Sequence, residues 1–158
     1  SDASIDISKP QSHNWEGLYL SPNHPSVNQY LIEVVSELIE LYNLDGIHLD
    51  YIRFQDDIYG YNEVGRKIFK NKYGFDPIDI ERNIISTDYG WDIVQIDSLK
   101  KIWNDYKIEN INSLVYNISN IINDLDENLN LSAAVKSNPN LSKKNGRKIG
   151  KIGLSMIT

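Results

Sequence analysis

His48 and Asp50 stand two residues apart in Leu44-Asp45-Gly46-Ile47-His48-Leu49-Asp50-Tyr51-Ile52-Arg53-Phe54, a short apolar stretch that ends in ionisable side chains. Alternate residues of a strand share a side. A strand here therefore points His48 and Asp50 one way and Ile47 and Leu49 the other. Two ionisable groups directed inward are costly unless hydrogen-bonded or functional. A carboxylate at a strand's carboxyl end is how a (β/α) barrel builds an active site. Such a carboxylate could act in catalysis directly or stabilise a transition state.

Asp50 is the catalytic candidate. His48, Tyr51 and Arg53 are its expected orienting shell. Arg53 offers a planar fork for carboxylates or an anionic substrate, and Tyr51 and Tyr19 offer aromatic faces for stacking. Plainer readings stand beside these. Asp50 bonded to Arg53 or a nearby loop would simply fix the strand end, His48 would satisfy a core hydrogen bond, Arg53 would form an ordinary salt bridge, and Tyr19 would pack in the core. A second carboxylate has no secure position; Asp56, Asp57 and Glu63, in or beside the following loop, read first as solvated.

The positioning elements follow from periodicity. Gly17-Leu18-Tyr19-Leu20 is a short buried strand. Asn23, His24 and Pro25 open a helix, with Asn23 as a cap and Pro in the first turn. Val27, Leu31, Val34, Val35, Leu38, Ile39 and Tyr42 form its buried face. A turn at Asn43–Gly46 leads to a strand over 46–52, and Gln55–Tyr61 is a loop. A helix over Asn62–Tyr73 turns Val64, Ile68, Phe69 and Tyr73 inward and ends at Gly74. A shorter helix runs from Phe75-Asp76-Pro77 to about Ile84, and 87–91 is a connection. The longest helix spans about Asp97 to Asp126, with a stripe from Leu99 through Trp103, Tyr106, Ile111, Leu114 and Ile118 to Leu125. Strands at Leu131–Val135 and Ile152–Ile157 close the series. Strands alternating with amphipathic helices imply parallel βα units joined by right-handed crossovers. No Gly-rich phosphate loop follows a strand, which disfavours a nucleotide-binding open sheet. The expected fold is α/β, a partial (β/α)8 TIM barrel of about four consecutive units over residues 16–158, after an irregular lead-in at 1–15.

The 158 residues, 41% hydrophobic and 24% charged, fit one globular domain with a core. A net charge of -6 argues against a nucleic-acid partner. Lys143, Lys144, Arg147, Lys148 and Lys151 read as a solvated loop. With no cysteine, disulfides and thiolate metal sites are excluded. His13, His24 and His48 are not spaced as a zinc motif, no metal site is assigned, and no organic cofactor is expected. No apolar run reaches the ~18 residues of a membrane span. The only methionine is Met156, and the final residues stop within an expected strand. The chain is therefore expected to be a piece of a longer protein, with the missing barrel half elsewhere. Alone, it is expected to be inactive and to associate through unpaired strand edges and uncovered apolar surface.

Several segments resemble the glycoside-hydrolase-like family ten, formerly a domain of unknown function. They are Gly17-Leu18-Tyr19-Leu20-Ser21-Pro22, Pro25-Ser26-Val27, and Asp45 through Phe54. Others follow in the family's order: Arg66 to Phe69 leading into Tyr73-Gly74-Phe75-Asp76-Pro77, Trp103 early in a long helix, Leu131-Ser132-Ala133-Ala134-Val135, and Gly153 to Thr158. The resemblance implies a bacterial TIM-barrel domain, often exported, so an extracellular or cell-envelope location is suggested. It implies a glycoside hydrolase acting on a polysaccharide, with a cell-wall glycan as one candidate. That chemistry needs two carboxyl groups about 5 to 5.5 Å or about 6.5 to 9.5 Å apart, according to stereochemical outcome. The resemblance makes Asp50 one of them and His48, Tyr51, Arg53 and Tyr19 the expected sugar-binding residues. The sequence departs from the family's usual residues at Ser21, His24, Asn28, Phe54-Gln55 and Lys107. None of these touches Asp50; they bear on substrate contacts and on the loop after the strand. The main alternative is a carbohydrate-binding barrel without catalysis. A third reading is an open α/β sheet that binds a phosphorylated ligand.

Overall fold

A computed structural model describes residues 5–6, 19–54, 59–81 and 92–134. The expected strand at Ile152–Ile157, the lysine-rich cluster, His13, Asp56, Asp57 and the 87–91 connection lie outside the described residues. The order is β1 (Ile5–Asp6), β2 (Tyr19–Leu20), α1 (Pro25–Leu41), β3 (Gly46–Leu49), α2 (Glu63–Tyr73), α3 (Pro77–Glu81), α4 (Ile93–Leu125) and β4 (Asn130–Ala133). This is a helix-rich α/β arrangement with few strands among the described residues. The chain divides into two compact units, Ser1–Gln29 with Phe54–Asn110 and Tyr30–Arg53 with Ile111–Thr158.

In the first unit, β1 pairs antiparallel with β2, Ile5 opposite Leu20 and Asp6 opposite Tyr19. The strand at Ile5–Asp6 and its antiparallel pairing are not among the elements expected from sequence. Two residues are too few for an alternation pattern to register in sequence. The start of α1 is corrected. His24, not Asn23, caps it: Ser26 N donates to His24 Nδ1 at 3.2 Å, while Val27 N donates to His24 O at 3.0 Å.

Caps set the next helices. Gly65 N donates to Asn62 Oδ1 at 2.8 Å to open α2. Gly74, at φ 85, closes it in the left-handed conformation that favours glycine, its N–H donating to Lys70 O. Asp76 opens α3, accepting from Ile78 N at 3.1 Å. Its carboxylate also accepts from Arg66 of α2, from Nε at 2.8 Å and from Nη2 at 2.6 Å. Burial pushes the Asp76 carboxyl up, but the Arg66 hydrogen bond, the Ile78 N–H and the guanidinium charge outweigh it and hold it below the usual carboxylate range. The α4 helix begins earlier than its apolar stripe because Asp92 and Gln95 form a reciprocal capping box, each N–H donating to the other's side-chain oxygen at 2.9 Å. Ile93 and Val94 in that first turn are exposed, so no buried periodicity marks the helix start.

Phe69 is fully buried at the centre of this unit. Its ring meets Phe75, Trp103 and Tyr106 edge-on at 5.0, 4.9 and 5.1 Å, the geometry favoured by ring quadrupoles. Ile68, expected inside, is exposed. It lies about 100° around the helix from Phe69, and α2 buries only the Gly65–Phe69 face.

The second unit packs Val35 of α1 against Leu114, Ile118 and Ile122 of α4, with Leu129 completing the buried set. Leu38, Tyr42 and Leu125, expected in these faces, are exposed; the buried stripe is narrower than the apolar pattern. Next to this cluster, β3 and β4 pair in parallel, Gly46 with Asn130, Ile47 with Leu131, His48 with Ser132 and Leu49 with Ala133. The ladder continues beyond both ends, Asn130 N donating to Asp45 O at 3.2 Å and Ala134 N to Leu49 O at 2.9 Å. Gly46 permits this approach, since a Cβ there would stand 2.7 Å from Asn130 O.

Candidate functional site

The second unit holds four of the five expected site residues on and just after β3. Ile47, Leu49 and Leu131 pack onto the apolar cluster, while His48, Asp50 and Ser132 are exposed. Strand alternation thus puts a sealed face on one side and a polar face on the other. His48 Nδ1 is hydrogen-bonded to Ser132 Oγ at 2.9 Å, across the ladder. Tyr51 N donates to Asp50 Oδ1 at 2.9 Å, so the carboxylate is steadied by the backbone that follows it. The structure forms no Asp50–Arg53 ion pair among the described residues. Instead the Arg53 guanidinium lies over the Tyr51 ring, 4.2 Å from its centroid, a cation–π geometry. Arg53 N donates to Tyr51 O at 2.8 Å, closing a tight turn. Tyr51 itself has φ 57. Its backbone lies in the left-handed region that non-glycine residues seldom adopt, of the kind that gathers at functional sites.

Asp50 thus has one carboxylate oxygen held by the following N–H, in a segment that also carries a hydrogen-bonded imidazole and a guanidinium over an aromatic ring. Such a set can bind sugar hydroxyls, and a carboxylate can serve glycoside cleavage when a second one faces it. Among the described residues no second carboxylate is hydrogen-bonded to Asp50 or His48. Ser132 is a member of this face that sequence reasoning missed. The only signal for it was the alternation of Leu131-Ser132-Ala133, which assigns Ser132 to the polar side but names no partner.

Tyr19 belongs to the first unit, partly buried on β2, with its ring edge-on to Tyr59 at 5.9 Å. Glu63 is exposed in the first turn of α2. The same unit contains a buried polar network that the sequence did not announce. Asn23 Nδ2 donates to Gly60 O at 2.8 Å, and Asn110 Nδ2 donates to Asn23 Oδ1 at 2.9 Å. Asn62, already the α2 cap, donates through Nδ2 to Ser21 Oγ at 2.7 Å. Lys107 is buried, its ammonium 5.5, 5.9 and 6.0 Å from the ring centroids of Phe54, Tyr61 and Trp103. Aromatic faces stabilise a cation in this way. Ser21, His24 and Lys107, three of the positions where the sequence departs from the resembled family's usual residues, are buried inside this unit.

Comparison with known families places the chain. Residues 4–147 match the family described as Glycosyl hydrolase-like 10, and the chain belongs to that family. Among curated proteins nothing matches.

Proposed function

We propose that this chain is part of a bacterial glycoside hydrolase acting on a polysaccharide, with Asp50 as a catalytic carboxylate at a strand's carboxyl end. The observation that carries this reading is the sidedness of β3. Ile47 and Leu49 pack against the apolar cluster, while His48 and, just past the strand's end, Asp50 are exposed. Parallel pairing of β3 with β4 is what a partial (β/α)8 barrel requires, and catalytic groups in such barrels come from the ends of several strands. The second carboxylate would come from another strand end. Family membership supports a glycosidase relationship.

His48 and Arg53 supply hydrogen bonds to sugar hydroxyls in this reading, and Tyr51 supplies a stacking face. Tyr19 is a further stacking candidate. A cell-wall glycan is the substrate class proposed, which an extracellular or envelope location would suit. No metal or organic cofactor is called for.

The test, made on the full-length parent protein, is release of reducing ends from bacterial cell-wall and plant polysaccharides. Asp50→Asn should lower turnover by about 10²- to 10⁴-fold and leave glycan affinity within about threefold, less than one hydrogen bond contributes. Full turnover in Asp50→Asn removes Asp50 from catalysis. Binding with no turnover on any glycan would favour the carbohydrate-binding barrel instead.

A further inference from the structure

His48 and Ser132 are 84 residues apart in sequence, and their 2.9 Å hydrogen bond exists because β3 and β4 pair in one register. A slip of one residue would turn Ser132 to the sealed face and abolish the contact. Building on the reading of Asp50 and His48 as site residues, we propose that Ser132 is a positioning residue, holding the His48 ring by Nδ1 so that Nε2 meets a sugar hydroxyl on the face shared with Asp50.

Three features carry this. His48 and Ser132 are both exposed on the polar side of the strand pair, while their neighbours Ile47, Leu49 and Leu131 face the apolar cluster. Asp50 does not orient the ring, since its Oδ1 accepts from Tyr51 N and the two side chains share no hydrogen bond among the described residues. With Nδ1 engaged, Nε2 is the ring atom left for a ligand. A hydroxyl both donates and accepts, so Ser132 serves either neutral tautomer. When Oγ donates to Nδ1, Nε2 carries the proton and donates to a sugar oxygen. When Oγ accepts from Nδ1–H, Nε2 accepts from a sugar hydroxyl.

The experiment compares Ser132→Ala, Ser132→Thr, His48→Ala and the double variant Ser132→Ala/His48→Ala. The ¹⁵N chemical shifts of the His48 ring, taken at a pH above the usual histidine range, report the tautomer without any need for turnover. Ser132→Ala should move them toward the values of a freely solvated imidazole, and Ser132→Thr, which keeps the hydroxyl, should retain the native ones. On a glycan that the protein cleaves, kcat/KM should fall about 5- to 10-fold in Ser132→Ala, the worth of one oriented hydrogen bond. Where glycan is bound but not cleaved, the same comparison is read on Kd. In the His48→Ala background, Ser132→Ala should cost nothing further, because a residue acting through His48 has nothing left to position. Ring shifts unchanged in Ser132→Ala overturn the proposal, and so does an equal loss with and without His48. Failure of the parent reading is separate: it shows as full turnover in Asp50→Asn, whatever the ring shifts do.

Discussion

Replacing Asp76 with asparagine removes the charge that Arg66 grips but leaves an oxygen able to cap α3, whereas alanine removes both. The two variants therefore divide the roles of one side chain. Its Oδ1 accepts from Ile78 N at 3.1 Å and from Arg66 Nε at 2.8 Å, and its Oδ2 from Arg66 Nη2 at 2.6 Å. The side chains of Arg66 and Asp76 are only 23% and 16% exposed, so the pair is partly shielded from solvent. Hydrogen bonds to charged groups contribute about 1.5–3 kcal/mol. Discounting for the remaining solvent screening gives about 1–2 kcal/mol for Asp76→Asn. Loss of the cap adds about 1 kcal/mol, so Asp76→Ala should cost about 2–3 kcal/mol. At ~2–4 °C per kcal/mol for a protein of this size, Tm should fall by roughly 2–8 °C and 4–12 °C respectively in calorimetry at neutral pH. The sign of the pH dependence is fixed by the depressed carboxyl. The folded value lies below the unfolded value of about 3.9. The contribution is thus complete above that unfolded value and is lost as pH falls through the lower folded one. The gap between native protein and Asp76→Asn should hold steady from neutral pH to about pH 4 and close below it. An Asp76→Asn protein within about 0.5 kcal/mol of the native one, the scatter of an ordinary surface substitution, would refute the reasoning. So would a gap already closed between about pH 5 and 6.

Asn23→Ala removes the acceptor of Asn110 and the donor to Gly60; one buried and one partly buried hydrogen bond put the loss at about 1–3 kcal/mol, read as a fall in the urea midpoint. A loss under about 0.5 kcal/mol would place this network outside the determinants of stability. Gly46→Ala sets a methyl 2.7 Å from Asn130 O, and overpacking of that kind costs about 1–3 kcal/mol. The same variant should shift the His48 ring signals, because it disturbs the register that brings Ser132 across; unmoved signals would mean that the strand pair absorbs the methyl elsewhere.

The sequence by itself determined what depends on near neighbours. The Gly74 stop of α2 follows from a conformation that glycine adopts freely. The alternation of Ile47, His48, Leu49 and Asp50 needed only the strand period, and so the separation of sealed and polar faces was legible. The Asp92–Gln95 box is as local, but the residues it introduces are exposed and carry no buried periodicity. Tertiary structure decided the rest. Whether Asn23 or His24 caps α1 turns on Gly60 and Asn110, which claim the Asn23 side chain from far along the chain. Lys107 is buried because rings from Phe54, Tyr61 and Trp103 converge on it, and nothing in its own segment distinguishes it from a solvated helix lysine. The pairing of His48 with Ser132 required a strand register, which forms only when distant segments meet. Local propensity and alternation fix the direction of a side chain, but the partner it finds there is set by long-range packing.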